Sequence, residues 1–267
     1  MNLKLRQDPF KVFECSKTPA GLYARLKWLD PADGSFQKDF DATVALLLTG
    51  QESDGLWNGS PQETIRRLFG LHLTVRNSTP AITKALEGLA EEISAGIQTM
   101  DPRLTDPASF EGLPFVMGNA SVYVRSAFLF LATIFEQQDL PVVRMLYEKL
   151  TADLVPASWL QKYPADLNNA MRALVVHPRY ASHDKVVNIV ACLAQQQASD
   201  GTWGENIPFF QMVNALAHLE RPDGDAQLER AFHRLKHTQN DDGTWGRRQR
   251  EWNTFLVIHA LRNRGLL

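Results

Sequence analysis

Two segments lying 42 positions apart in this chain are near copies of each other. One reads Gln197-Ala198-Ser199-Asp200-Gly201-Thr202-Trp203-Gly204, the other Gln239-Asn240-Asp241-Asp242-Gly243-Thr244-Trp245-Gly246. A third segment runs from Gln51 to Asp54-Gly55-Leu56-Trp57. A fourth, Asp33-Gly34-Ser35-Phe36, keeps Asp-Gly and an aromatic but has no Gln before it. Repeats at such spacing mark a supersecondary unit that buries its apolar face only by stacking on its neighbours.

The chemistry of the repeat is that of a helix stop. Asp-Gly is turn-forming, because Gly takes positive φ freely and Asp bonds its own backbone. The aromatic that follows fills the gap between neighbouring helices, and the Gln reaches groups left unpaired at a helix end. Apolar helical stretches come after each turn: 42–48, 64–73, 210–219 and 254–261. Thr43, Thr64 and Thr254 hold similar places in three of them. Before the two later turns, 183–196 and 226–237 carry apolar residues at three- and four-residue spacing, among them Leu228, Ala231, Phe232 and Leu235.

The unit is therefore an outer helix, a turn and an inner helix. Inner helices are expected near 41–50, 62–74, 119–136, 166–175, 207–219 and 250–262. Further helices are expected at 80–97 and 141–152, with loops at 98–117 and 156–164. No useful period-two pattern suggests a strand. The reading is an all-α chain, an α/α toroid of inner and outer helices, with 1–267 as one domain.

Composition narrows the function. With 44% apolar and 22% charged residues the chain is of globular type, and a net charge of −2 gives no electrostatic case for nucleic acid. The N-terminus develops no signal-like apolar run. The most apolar stretch, 120–135, is short for a bilayer span and is interrupted by Arg125. Cys15 and Cys192 stand apart from any Cys/His cluster, which makes a reducing cytosol the expected compartment.

At its turns the chain resembles the terpenoid-cyclase and protein-prenyltransferase superfamily, whose QW motif joins a Gln to a Gly-x-Trp turn. The two C-terminal copies match it well, 51–57 fairly, and 33–36 weakly. The resemblance implies the toroid, an apolar isoprenoid as ligand, and an acid at the mouth of an inner helix. Class II cyclases carry Asp-x-Asp-Asp-Thr there. Here Asp39-Phe40-Asp41-Ala42-Thr43 departs from it, with Ala at the fourth place. By that resemblance Asp41 would protonate an alkene and Asp39 would tune it as a coupled partner. Phe40, Tyr123, Phe210 and Trp252 are candidates to line the cavity, and Arg247 and Arg248 to hold a diphosphate. The same Asp and Thr residues also suit an ordinary helix N-terminus.

The implied function is a class II-type, protonation-initiated isoprenoid cyclase. The alternative is a non-catalytic toroid that binds an apolar ligand or a protein partner. No cofactor or metal is expected, except Mg²⁺ where the substrate carries a diphosphate. Peripheral contact with a membrane is compatible with either reading. A carbohydrate-active α/α barrel fits poorly, since carboxylates two positions apart do not flank a glycosidic bond. His177, His218 and His259 fall on different helices, and nothing in their spacing indicates zinc.

Overall fold

The computed structural model describes residues 4–29, 34–99 and 118–267. The described residues form twelve α-helices and no strand. These are α1 (Pro19–Ala24), α2 (Gly34–Leu48), α3 (Pro61–Leu73), α4 (Pro80–Thr99), α5 (Ala120–Ile134), α6 (Pro141–Asp153), α7 (Pro156–Lys162), α8 (Pro164–Val176), α9 (Asp184–Gln196), α10 (Phe209–Ala217), α11 (Pro222–Thr238) and α12 (Arg250–Asn263). A 3₁₀ turn at Lys11–Phe13 and a π-helical stretch at Arg25–Leu29 flank α1. The all-α reading holds.

Helix starts follow elementary rules. Pro19, Pro61, Pro141, Pro156, Pro164 and Pro222 open their helices, where the missing N–H costs nothing. Side-chain oxygens of Thr18, Ser60 and Asn119 cap free N–H groups of α1, α3 and α5.

The chain sorts into two compact units, 1–43 with 190–267, and 44–189. In the first, α10 packs against α11 and α12, and α1 against α12. In the second, α5 packs against α3, α4, α6 and most extensively α8, while α7 packs on α8. Every residue of α8 from Asp166 to Val175 is buried, as an inner helix requires.

The three turns are built alike. Asp54, Asp200 and Asp242 each accept the N–H two residues on, from Leu56, Thr202 and Thr244. Gly55, Gly201 and Gly243 have φ of +88°, +88° and +86°. A Cβ there would lie 2.2, 2.6 and 2.2 Å from the carbonyl oxygens of Lys84, Arg230 and Asp8, so glycine is required on two counts. The amide of Gln51, Gln197 or Gln239 donates to its own turn at the Gly carbonyl. It also donates to a further element, to the Ala81 carbonyl of α4, the Gln227 carbonyl of α11 or the Gln7 carbonyl.

Trp57, Trp203 and Trp245 are at most 3% exposed. Their indole N–H groups donate to the Leu48 carbonyl, the Gln227 side chain and the Leu235 carbonyl. The Thr correspondence also has a cause. Thr64 and Thr254 accept the backbone N–H of Trp57 and Trp245, and donate to Ser60 and Arg250 one helical turn earlier.

Three expectations need correction. Gly34 to Phe36 form the first turn of α2 and not a connecting turn; Asp33 lies outside the described residues. The segment lacks the Gln and Trp whose bonds build the other three turns. The expected loop at 156–164 contains α7, started by Pro156 and followed by Pro164 at the first position of α8. Helix α1 and its flanking turns were not expected at all. Most of the expected loop at 98–117 lies outside the described residues.

Candidate functional site

Because α2 starts at Gly34, Asp39 and Asp41 sit in its second turn and not at its mouth. Residues two apart on an α-helix point to nearly opposite sides, and the two carboxylates have separate partners. Asp39 receives Lys17 Nζ at 2.9 Å and Arg25 Nη1 at 3.0 Å. Arg25 is buried, also donates to the Ser16 carbonyl, and lies over the Phe36 ring with its guanidinium carbon 5.3 Å from the centroid. The hydrogen bonds from Lys17 and then Arg25 hold the Asp39 carboxyl below its ordinary range. Asp41 is exposed and accepts Gln37 Nε2 at 2.8 Å. Asp39 thus ties α2 to the segment around α1.

The aromatic candidates are distributed. Phe40 is half-buried and tilts against Phe36, ring centroids 5.7 Å apart. Trp252 stacks on Phe255 at 5.3 Å and 7°, and Phe255 stacks in turn on Trp28 and meets the edge of Tyr23. Phe210 meets Phe209 edge-on, and Phe209 tilts on Trp203. These residues share one unit with Asp39 and Asp41, as do Arg247 and Arg248, which are exposed just before α12. Their neighbour Arg250 pairs with Asp242 at 2.9 Å.

Tyr123 belongs to the other unit and is buried there. Burial pushes its hydroxyl up to about 12. The Arg172 guanidinium lies over the rings of Phe69, Tyr123 and Phe130, at 5.3, 5.6 and 5.8 Å from their centroids. A resident cation already faces these π surfaces. Burial lowers Arg172 to about 10, which leaves it charged at neutral pH.

The same helix carries residues that the sequence reading passed over. Asp166, Asn168 and Asn169 are buried in α8. Asp166 Oδ1 accepts the Asn119 N–H at 2.6 Å, and burial raises its carboxyl above the ordinary range. Gly118, at φ +78°, permits the approach; a Cβ there would lie 2.2 Å from that oxygen. Asp166-Leu167-Asn168-Asn169 has the spacing of the Asp-x-Asp-Asp signature, with amides in two acid places. The signal was visible as three polar residues opening a helix whose remaining residues are apolar apart from Arg172. It was missed because amides do not announce acid chemistry.

His218 is half-buried, desolvation lowers its pKa, and its ring lies 5.4 Å from that of His259. His177 lies in the other unit, edge-on to both Tyr147 and Tyr180, which stack on each other. Among the described residues no three His, Cys, Asp or Glu side chains are grouped to hold a metal ion. Cys15 and Cys192 are free thiols. No described helix is long and apolar enough to cross a membrane.

No known family model and no curated protein matches the chain. Solved structures do. The type II terpene cyclase MstE from Scytonema, in its apo form, superposes with a TM-score of 0.57 at 12% identity, over 94% of this chain and 88% of that one. This chain has a terpene-cyclase-like fold. A protein from Actinoplanes also superposes at 0.57, with 18% identity over 93% of this chain and 89% of that one.

Proposed function

We propose that this protein binds an isoprenoid or similarly apolar molecule without starting its cyclisation by proton transfer. The observation that carries the reading is the buried opening of α8, where Asp166-Leu167-Asn168-Asn169 keeps the spacing of the cyclase signature but has amides in two of its acid places. An amide cannot deliver a proton to an alkene.

The carboxylates of α2 do not fill that role. A group that protonates an alkene must be a strong acid and yet protonated when substrate arrives. Asp39 is held in its charged form by Lys17 and Arg25. Asp41 is exposed and bonded by Gln37, so it does not face a dry cavity that could hold an alkene against it. Around α8 the Arg172 charge on the Tyr123, Phe69 and Phe130 rings opposes a second cation nearby.

Support for an apolar ligand comes from the likeness to a terpene cyclase and from the aromatic stack of Trp28, Phe255 and Trp252. In this reading Phe40, Phe210 and Trp252 contact the hydrocarbon, and Arg247 and Arg248 meet a charged head group where there is one. Calorimetric titration with linear isoprenoids of several lengths, with and without a diphosphate, tests the proposal. Saturable binding, weakened several-fold by Trp252→Ala, is expected. Absence of saturable binding for every ligand would overturn it.

A further inference from the structure

The exposed face of α11 carries a pair of histidines that the apolar-ligand reading does not use. His233 and His237 are one helical turn apart, with ring centroids 4.5 Å apart and Nε2 atoms 3.3 Å apart. Both side chains are exposed, so water and ions reach them. We propose that these two nitrogens form a surface site for a divalent transition-metal ion of the imidazole-preferring group, Cu²⁺, Zn²⁺ or Ni²⁺.

The geometry is the argument. Residues i and i+4 share a helix face, and here both rings turn the same nitrogen toward one point. With metal–nitrogen bonds of about 2.0–2.1 Å, donors 3.3 Å apart subtend about 105–110° at the metal, close to tetrahedral. In the metal-free pair one Nε2 donates its proton to the other. For the ion to bind, that proton moves to Nδ1 of the same neutral ring, so both Nε2 lone pairs reach the metal and no net proton is lost. Water takes the remaining positions.

The surrounding charges do not block the site. Arg234 is engaged by Asp200 at 2.6 Å, and Arg230 donates to Gln197 at 2.7 Å. Glu229, exposed one turn before His233, adds a negative charge on the same helical stripe. His237 precedes Gln239 by two residues, so an occupied site pins the last turn of α11 just before the Gln239 turn.

The full-length protein without a histidine tag is titrated with Cu²⁺ and observed by electron paramagnetic resonance. His233→Ala, His237→Ala and His183→Ala are compared, the last as a histidine outside the pair. Wild type should bind one Cu²⁺ through two equatorial nitrogens. Either variant of the pair should weaken binding on the order of ten-fold or more, since it removes the second, preorganised ligand, and His183→Ala should not. Zn²⁺ should raise the melting temperature of wild type and of neither pair variant. Undiminished binding in His233→Ala and His237→Ala would overturn the site, as would a single-nitrogen signal in wild type. Both histidines are exposed, so neither outcome can come from failed folding, which circular dichroism checks directly.

Discussion

Asp242 shows how much a single side chain does in these turns. Its carboxylate accepts the hydroxyl and the backbone N–H of Thr244 and pairs with Arg250, and these contacts hold it below its ordinary value of 3.8. Asp39 is lowered in the same direction by Lys17 and Arg25. Both groups bind fewer protons folded than unfolded near that value. Their contribution to stability is therefore complete above 3.8 and is lost as pH falls through the lowered folded values. Melting curves of wild type and Asp242→Asn between about pH 5 and about pH 3 should converge toward acid, because the variant has already lost what protonation removes. Parallel curves would assign the acid sensitivity elsewhere. Trp245, fully buried, is the larger energetic element. Trp245→Ala should cost about 3–5 kcal/mol in denaturant unfolding, and an unchanged midpoint would contradict its locking role. These residues were legible because their chemistry is local. Asp166, Asn168 and Asn169 were not, since only packing reveals that polar groups opening α8 are buried.

At the scale of elements, the turn after α11 differs from the other two in what it grips. Gln51 and Gln197 bond the second helix after their turn, α4 at Ala81 and α11 at Gln227. Gln239 instead bonds the segment around Arg6 and Gln7, which precedes it in the chain by more than 200 positions. It accepts from Arg6 and Gln7 at 2.9 and 3.0 Å and donates to Gln7 at 3.0 Å. Residues 6–8 thus stand where the repeat places its next outer element. Gln239→Ala should cost about 1–3 kcal/mol and speed amide hydrogen exchange at Arg6 and Gln7 ahead of the rest of the chain. Unchanged exchange there would separate the N-terminus from the turn. The sequence displayed the Gln but not its partner, because a partner more than 200 positions away leaves no trace in local spacing. The start of α2 was misread for a related reason. Asp33-Gly34 resembles a turn on paper, yet turn formation depends on the Gln and Trp contacts that this copy lacks.

For the whole molecule, repeated stop signals and helical periodicity were enough to anticipate an all-α chain, and the resemblance at its turns to anticipate a terpene-cyclase-like fold. The candidate site was far less legible. A two-residue acid motif states the chemistry a chain might perform, whereas burial and ion pairing decide whether it does. Asp39 and Asp41 satisfied the pattern, but one is tied to Lys17 and Arg25 and the other is exposed. Ligand binding is thus separate from proton-initiated cyclisation in this protein's proposed role, and product analysis tests that separation most directly. Wild type, Asp41→Asn and Asp166→Asn are incubated with linear isoprenoids, with and without a diphosphate, and the extracts are examined for cyclic products. The account predicts that all three return the linear molecule unchanged while wild type still binds it. Cyclic product from wild type that disappears in either variant would contradict it and assign the acid to the carboxyl removed.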